Sequence, residues 1–184
     1  LLPILLNEGH EVVACVRNKN TIRLSKEEQD KVTICEVDFL DEESLKNLPK
    51  ELDVAYFLMH SLTAGSKLFS AKEIRLAENF VQYLDTTSAK QIIYLGGISN
   101  DSDLSDHLKS RQKTGSILAT SKVPLTALRA AIIIGSGGAS FEIIRDLVEK
   151  LPVMIAPKWL NTKCQPIGIR NVMEYLLKAC GNEA

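Results

Sequence analysis

The chain has 184 residues, of which 45% are hydrophobic and 24% are charged, a balance typical of one globular domain rather than of a disordered or fibrous chain. Its formal net charge is −1, and acidic and basic residues alternate along it, so no basic face and no nucleic-acid partner are expected. No stretch approaches the roughly 20 apolar residues that cross a bilayer. We therefore expect a cytoplasmic protein without a membrane segment.

The cysteines indicate neither a metal site nor a disulfide framework, because they lie far apart and form no CxxC or Cys/His spacing. They are typical of buried free thiols in a reducing compartment. The four are Cys15, Cys35, Cys164 and Cys180.

Predicted strands and helices alternate along the chain. In the first half we predict a helix over 1–8 that Gly9 ends, strands over 10–16 and 31–37, a short helix over 41–48 and a buried strand over 53–59. In the second half we predict an amphipathic helix over 67–84, a strand over 91–95, a helix over 107–121, a strand over 125–134, a helix over 141–151, a strand near 153–155 and a helix over 170–179.

This alternation predicts one α/β domain, a doubly wound parallel sheet of the Rossmann type. Such a fold supports many unrelated activities, so function has to be argued from a site. Ligands of these sheets bind at the carboxyl ends of the strands. The residues that directly follow each strand are therefore the candidates.

Several of these segments resemble the short-chain dehydrogenase/reductases, in particular the atypical, NmrA-like proteins related to nucleoside-diphosphate-sugar epimerases. The resemblance extends over essentially the whole chain and depends on the order and spacing of short pieces. They are residues 9–18 (GHEVVACVRN), 37–39 (VDF), 56–61 (YFLMHS), 93–97 (IYLGG), 125–130 (LTALRA) and Ile134-Gly135.

The resemblance implies that the family's first strand and its glycine-rich GxxGxxG turn would precede Leu1. Residues 1–184 would then be a single NAD(P)-binding domain, truncated at the N-terminus and also at the C-terminus. Without the first strand, two neighbouring strands would have unpaired apolar edges, which favour aggregation.

The resemblance implies a nicotinamide dinucleotide cofactor. Arg17, with Asn18 beside it, follows the family's second strand, where an arginine accommodates the 2′-phosphate of NADP and a carboxylate would instead bind the ribose of NAD. We therefore expect NADP to be preferred over NAD. A solvated surface arginine is the alternative interpretation of Arg17.

The other implied cofactor contacts follow the later strands. Asp38 and Phe39 correspond to the adenine pocket, although Asp38 can also simply begin a turn. His60 is a cofactor contact or, less expectedly, an acid or base, and a lone histidine at a strand end is often structural. The remaining implied contacts are Leu58, Met59, Gly97, Arg129 and Ala130.

Catalytic members of the family use a Ser or Thr after the fifth strand and a Tyr-x-x-x-Lys pair, which this chain lacks. The best register places His107 and Arg111 at the pair and Ser99 at the serine. His107 can relay a proton near neutral pH, whereas Arg111 can only hold ribose hydroxyls, because it does not give up its proton. Alternatively, both are solvated residues of an exposed helix.

Two further segments permit several interpretations. Residues 135–138 (GSGG) precede a helix and can approach an anion there, line the substrate side or only turn the chain; they lack the Lys-Ser/Thr of a Walker loop. Pro157 and Trp159 are candidates for a wall of the substrate pocket or for a partner contact.

The sequence thus predicts an NAD(P)-dependent oxidoreductase or sugar-nucleotide epimerase-like enzyme that acts on a small-molecule substrate. The alternative is a non-catalytic NAD(P)-binding regulator or assembly factor of the NmrA-like type, which the missing Tyr-x-x-x-Lys favours. An interaction domain without a cofactor is the least expected. The resemblance also implies a homodimer through the helices over 67–84 and from residue 107.

Overall fold

A computed structural model describes residues 1–59, 67–98, 106–135, 139–150 and 165–182. Its helices are α1 (Leu2–Asn7), α2 (Lys26–Gln29), α3 (Lys67–Leu84), α4 (Asp106–Leu118), α5 (Ala139–Lys150) and α6 (Ile169–Lys178). Its strands are β1 (Val12–Val16), β2 (Val32–Glu36), β3 (Val54–Phe57), β4 (Gln91–Gly97), β5 (Leu125–Ala130), β6 (Ile133–Ile134) and β7 (Ile167–Gly168).

The strands are all parallel to their partners. β1 pairs with β2, β3 and β5 pair with the two edges of β4, and β6 pairs with β7. Within the described residues no backbone ladder joins β1 to β3. Parallel pairing between strands that alternate with helices confirms the predicted doubly wound α/β fold.

Helix α3 connects the β1–β2 pair to the β3–β4–β5 set through one aromatic cluster. The Phe80 ring lies 5.6 Å from that of Phe39, which follows β2, and 5.0 Å from that of Phe57 in β3. The buried Asn79 side chain also donates to the Phe39 carbonyl at 2.6 Å. This core cluster covers one face of the strands, and a second cluster, around Ile93, Val172 and Leu176, places α6 on the other face.

The predicted elements agree with the structure except at their ends and at four places, one of which is the short strand β7, where no strand is predicted. The predicted helix over 41–48 is only a 3₁₀ turn, Ser44–Asn47. No helix is predicted where α2 lies, although Ser25 and Glu28 form a capping box that the sequence contains. The predicted strand over 125–134 is divided into β5 and β6, because the chain changes its pairing partner from β4 to β7. The strand predicted near 153–155 lies outside the described residues.

The expectation that the cysteines are buried is wrong for those that the structure describes, although these thiols are free as expected. Cys15 is exposed, and Cys35 and Cys180 are half-buried. Strands β1 and β2 each turn one face to solvent at this point, a property that short apolar runs do not reveal. Cys164 lies outside the described residues.

Candidate site at the carboxyl ends of the strands

Residues that follow β1 and β2 lie side by side. The two strands are in register, with Val16 opposite Glu36, and the Val37 amide donates to the Val16 carbonyl at 2.8 Å. This bond places Arg17 next to Asp38 along the carboxyl edge. The pairing of β1 with β2 therefore brings together Arg17 and Asp38, the candidates for contacts with the adenosine half of the cofactor.

Arg17 is exposed and makes no ion pair with any described residue. Asn18, in contrast, is used locally: its Oδ1 accepts from the Asn20 amide at 2.9 Å, and its carbonyl accepts from the Thr21 hydroxyl at 2.7 Å. Asn18 thus caps the 3₁₀ turn Lys19–Thr21. No hydrogen bond joins the Arg17 guanidinium to the described part of the chain.

Asp38 forms a tight turn, as one of the two interpretations predicts. Its Oδ1 accepts from the Leu40 amide at 2.9 Å, and its own amide donates to the Ser44 hydroxyl at 3.1 Å. The side chain is nevertheless exposed, and its second oxygen is left for a ligand. The Phe39 ring is buried in the core, so only the backbone of Phe39 can contact an adenine.

Leu58 and Met59 follow β3 at the same edge. Leu58 is 40% exposed, whereas Met59 packs against the core cluster. Only Leu58 presents a large apolar surface to solvent here. His60 lies outside the described residues.

Gly97 and Ala130 end the two neighbouring strands β4 and β5. They are paired in register, and the Ile98 amide donates to the Ala130 carbonyl at 3.1 Å. A Cβ on Gly97 would lie 3.1 Å from the Leu108 side chain, so a larger residue here would press on α4. Arg129 is exposed and is paired with Gly96.

Arg111 lies in α4 and reaches back to β4. Its Nη1 donates to the Leu95 carbonyl at 3.1 Å, which fixes a half-buried guanidinium beside the carboxyl end of β4. His107 is in the first turn of the same helix, four residues before Arg111. The His107 side chain and the whole of Ser99 lie outside the described residues.

Three of the tyrosines have their hydroxyl groups occupied. Tyr56 donates to the Leu176 carbonyl, Tyr83 to the Pro49 carbonyl and Tyr94 to the Arg111 carbonyl. Burial raises the pKa of each, that of Tyr83 to about 12. For Tyr94 the nearby Arg111 opposes this increase in pKa without cancelling it. None of the three is suited to exchange a proton near neutral pH.

A buried polar cluster joins α3 to α4 next to Arg111, and sequence analysis did not find it. The Ser110 hydroxyl donates to the Glu73 carboxylate at 2.5 Å, and both side chains are buried. Thr114 is buried beside them, and its hydroxyl has no partner in the structure. Glu73 precedes Ala77 by four residues, so the 3.6-residue period could have placed it on the buried face.

None of the described helices is long and apolar enough to cross a membrane. Among the residues that the structure describes, no group of three or more His, Cys, Asp or Glu side chains is arranged to hold a metal ion.

Comparison with known proteins supports the same fold and ligand class. Residues 1–145 match the model of the NAD(P)H-binding family. No curated protein matches the chain in sequence.

Solved structures show the fold at low sequence identity. A nucleoside-diphosphate-sugar epimerase from Staphylococcus aureus is 22% identical, with a TM-score of 0.58 over 71% of this chain and 45% of its own. The Bordetella bronchiseptica enzyme WbmG, in complex with NAD and UDP, is 15% identical, with a TM-score of 0.68 over 97% of this chain and 62% of its own. UDP-glucose 4-epimerase from Thermotoga maritima is 13% identical, with a TM-score of 0.71 over 99% of this chain and 69% of its own.

The chain thus spans less than two thirds of the length of the first two of these proteins. The family match covers most of this chain, and the parallel, doubly wound fold agrees with it. The chain therefore belongs to the NAD(P)H-binding family and has a Rossmann fold.

Proposed function

We propose that the chain is the cofactor-binding part of an NADP-dependent oxidoreductase or sugar-nucleotide epimerase-like enzyme with a small-molecule substrate. The observation that carries this proposal is the common edge: Arg17, Asp38, Leu58 and Gly97 all lie at or just past the carboxyl end of a strand. This is the edge at which α/β sheets bind ligands. Two of the structural neighbours, WbmG and WbmH, were solved in complex with NAD.

The residues at the adenosine end suit a dinucleotide. The exposed Arg17 guanidinium can bind a 2′-phosphate. The second carboxylate oxygen of Asp38 can accept a hydrogen bond from an adenine amino group. The Phe39 amide donates to no described residue and can complete the adenine contact. We expect NADP because the cationic Arg17 occupies the position at which a carboxylate would bind the ribose of NAD.

At the nicotinamide end, the cofactor supplies the hydride chemistry when it is bound. Arg111, fixed by its bond to the Leu95 carbonyl, would hold ribose hydroxyls with its remaining N–H groups. His107, one helical turn earlier, would hold and release the accompanying proton. Ser99 and His60 complete the proposed set of contacts.

A second candidate function, a non-catalytic NADP-binding regulator, is favoured by a specific observation. Tyr56, Tyr83 and Tyr94 each donate to a backbone carbonyl and have a raised pKa. None of them therefore replaces the tyrosine of the missing Tyr-x-x-x-Lys pair. Under this candidate, cofactor binding is retained and turnover is absent.

Calorimetric titration with NADPH and NADH tests the cofactor proposal. We expect NADPH to bind more tightly, and Arg17→Asp to weaken NADPH binding at least tenfold while leaving NADH binding nearly unchanged, since a charge-assisted contact contributes roughly 1.5–3 kcal/mol. Arg170→Asp is the matched control, because it makes the same charge change at an exposed position of α6. Unchanged NADPH affinity in Arg17→Asp would remove this role of Arg17, and no binding of either nucleotide would overturn the proposed function.

Turnover separates the two candidate functions. We expect the parent chain to consume NADPH in the presence of a carbonyl or sugar-nucleotide substrate, and His107→Phe to abolish this activity while NADPH still binds. A parent chain that binds NADPH without turning over any such substrate would support the regulator. Full activity in His107→Phe would remove the proton-relay role of His107.

A further inference from the structure

A cleft of about 270 Å³ lies between α4 and β5. Its upper end adjoins Gly97 at the carboxyl edge, and it continues along the strands towards Leu125 at the start of β5. Its volume is slightly below the roughly 300–1,000 Å³ of pockets for drug-sized ligands. The cleft therefore suits a compact molecule.

The cleft exists because the residues on its walls are small. Side chains alternate along a strand, so Ala127 and Arg129 of β5 point to the same face as their partners Tyr94 and Gly96 of β4. That face is turned towards α4, since the Tyr94 hydroxyl donates to the Arg111 carbonyl. Ala127 leaves open the space that a larger side chain would fill, whereas a Cβ on Gly96 would lie 3.0 Å from the Tyr94 ring.

The charged residues that line the cleft are both arginines. Arg111 and Arg129 both line it, together with Gln112 and Ser116, and no carboxylate is among its described lining residues. Arg129 is exposed, and its side chain forms no ion pair or hydrogen bond with the described part of the chain. Two guanidinium groups that share a cleft favour an anion between them.

Glu73 lines a separate small cavity with Arg111 but does not line the cleft. Glu73 lies behind Arg111, where it is bonded to Ser110 and is close enough to Tyr94 to contribute to its raised pKa. It belongs to the buried cluster between α3 and α4. The charge of Arg129 is left for a ligand.

We propose that this cleft binds a small organic oxyanion, a phosphate monoester or a carboxylate, with a compact apolar body. Arg129 and Arg111 bind the oxyanion at the upper end of the cleft, because planar guanidinium groups match its geometry. The apolar body lies lower, against Ala119, Leu125 and Ala127. Arg111 is shared with the proposed cofactor site, but binding to the cleft is measured without any dinucleotide, so failure of this proposal and failure of the proposed function are separable.

Titration of the full chain with phenyl phosphate, without any dinucleotide, tests the proposal by ¹⁵N NMR. We expect saturable shifts of the Gly96, Gly97 and Gly115 amides, and a dissociation constant that increases at least fivefold in Arg129→Ala. Phenol, which has the same ring without the charge, should not bind. Benzoate in place of phenyl phosphate distinguishes the two oxyanions, and tighter binding of either one supports the cleft.

Two further variants separate the cleft from other surfaces. Arg170→Ala removes an exposed arginine from α6, on the opposite face of the sheet, and should leave binding unchanged. Ala127→Leu keeps both guanidinium groups but fills the lower part of the cleft, and should also weaken phenyl phosphate at least fivefold. The dispersion of each variant's spectrum verifies that it is folded. Equal binding of phenol, or unchanged affinity in Arg129→Ala, would overturn the proposal.

Discussion

Gln91, the first residue of β4, joins the end of α6 to the sheet through a single buried side chain. Its Nε2 lies 2.9 Å from the carbonyls of Ala179 and Asn182 and from the Thr126 hydroxyl, and its Oε1 accepts from the Gly181 amide, also at 2.9 Å. Only 2% of the residue is exposed. One buried side-chain amide thus bonds to three backbone groups at the end of α6 and to a side chain of β5.

We expect Gln91→Ala to lower the free energy of unfolding by about 2–3 kcal/mol, because it removes several hydrogen bonds that join the end of α6 to the sheet. Urea unfolding followed by circular dichroism measures the change. Gln82→Ala is the matched control, since Gln82 is exposed on α3 and should lose less than about 0.5 kcal/mol. A similar loss in both variants would contradict the importance of the Gln91 bonds.

The candidate site illustrates at the same scale what a sequence pattern can and cannot identify. The position of Arg17 directly after a strand was predictable, because strand ends follow from apolar runs and turn residues. The bond of Arg111 to the Leu95 carbonyl was not, since it depends on how α4 lies across β4. The helical spacing of Glu73 indicates that its side chain is buried, but it does not indicate the bond to Ser110.

At the scale of elements, α3 holds two separately paired sets of strands together. Its bounds, 67–84, are those that the apolar period predicts. The period identifies the buried face of this helix but not what that face covers. Only the structure shows that Phe80 lies between an aromatic ring following β2 and one in β3.

We expect Phe80→Ala to destabilise the chain by about 3–5 kcal/mol, the typical loss for a buried phenylalanine. It should also separate the unfolding of the β1–β2 pair from that of β3–β4–β5, seen as two groups of amides in hydrogen exchange. Phe141→Ala, in α5, is the control, because Phe141 is half-buried and belongs to neither core cluster. A smaller loss in Phe80→Ala than in Phe141→Ala would contradict the bridging role.

The division of the predicted strand over 125–134 also belongs to this scale. A continuous apolar run shows that a segment is buried, but it does not show which strand is its partner. β5 ends at Ala130, and β6 then pairs with β7, whose Ile167 amide donates to the Ile132 carbonyl at 2.9 Å. The change of partner depends on residues more than 30 positions apart, which no local period encodes.

At the scale of the whole molecule, unpaired strand edges favour association between chains. Within the described residues, β1 is paired on one side only, and its Val13 is 41% exposed. An apolar strand with an unpaired edge is a template for association with a second chain. We therefore expect the chain to self-associate as its concentration increases.

Val13→Lys should reduce this association, because a lysine on an edge strand opposes edge-to-edge pairing. Sedimentation velocity over a concentration series measures the effect. Val148→Lys adds the same charge at a 62% exposed position of α5 and should leave the association unchanged. Equal association in Val13→Lys and the parent chain would show that the β1 edge is not the contact.

The sequence by itself determined the class of this molecule: alternating apolar periods specify parallel strands and covering helices, and strand ends specify where a ligand binds. These are local properties, since the 2- and 3.6-residue periods and the turn residues act over a few positions. The tertiary structure decided which face each strand buries, that α3 spans both sets of strands, and that a cleft lined by Ala127 and two arginines lies between α4 and β5. These features arise from packing between residues distant in the chain, which a local pattern does not contain.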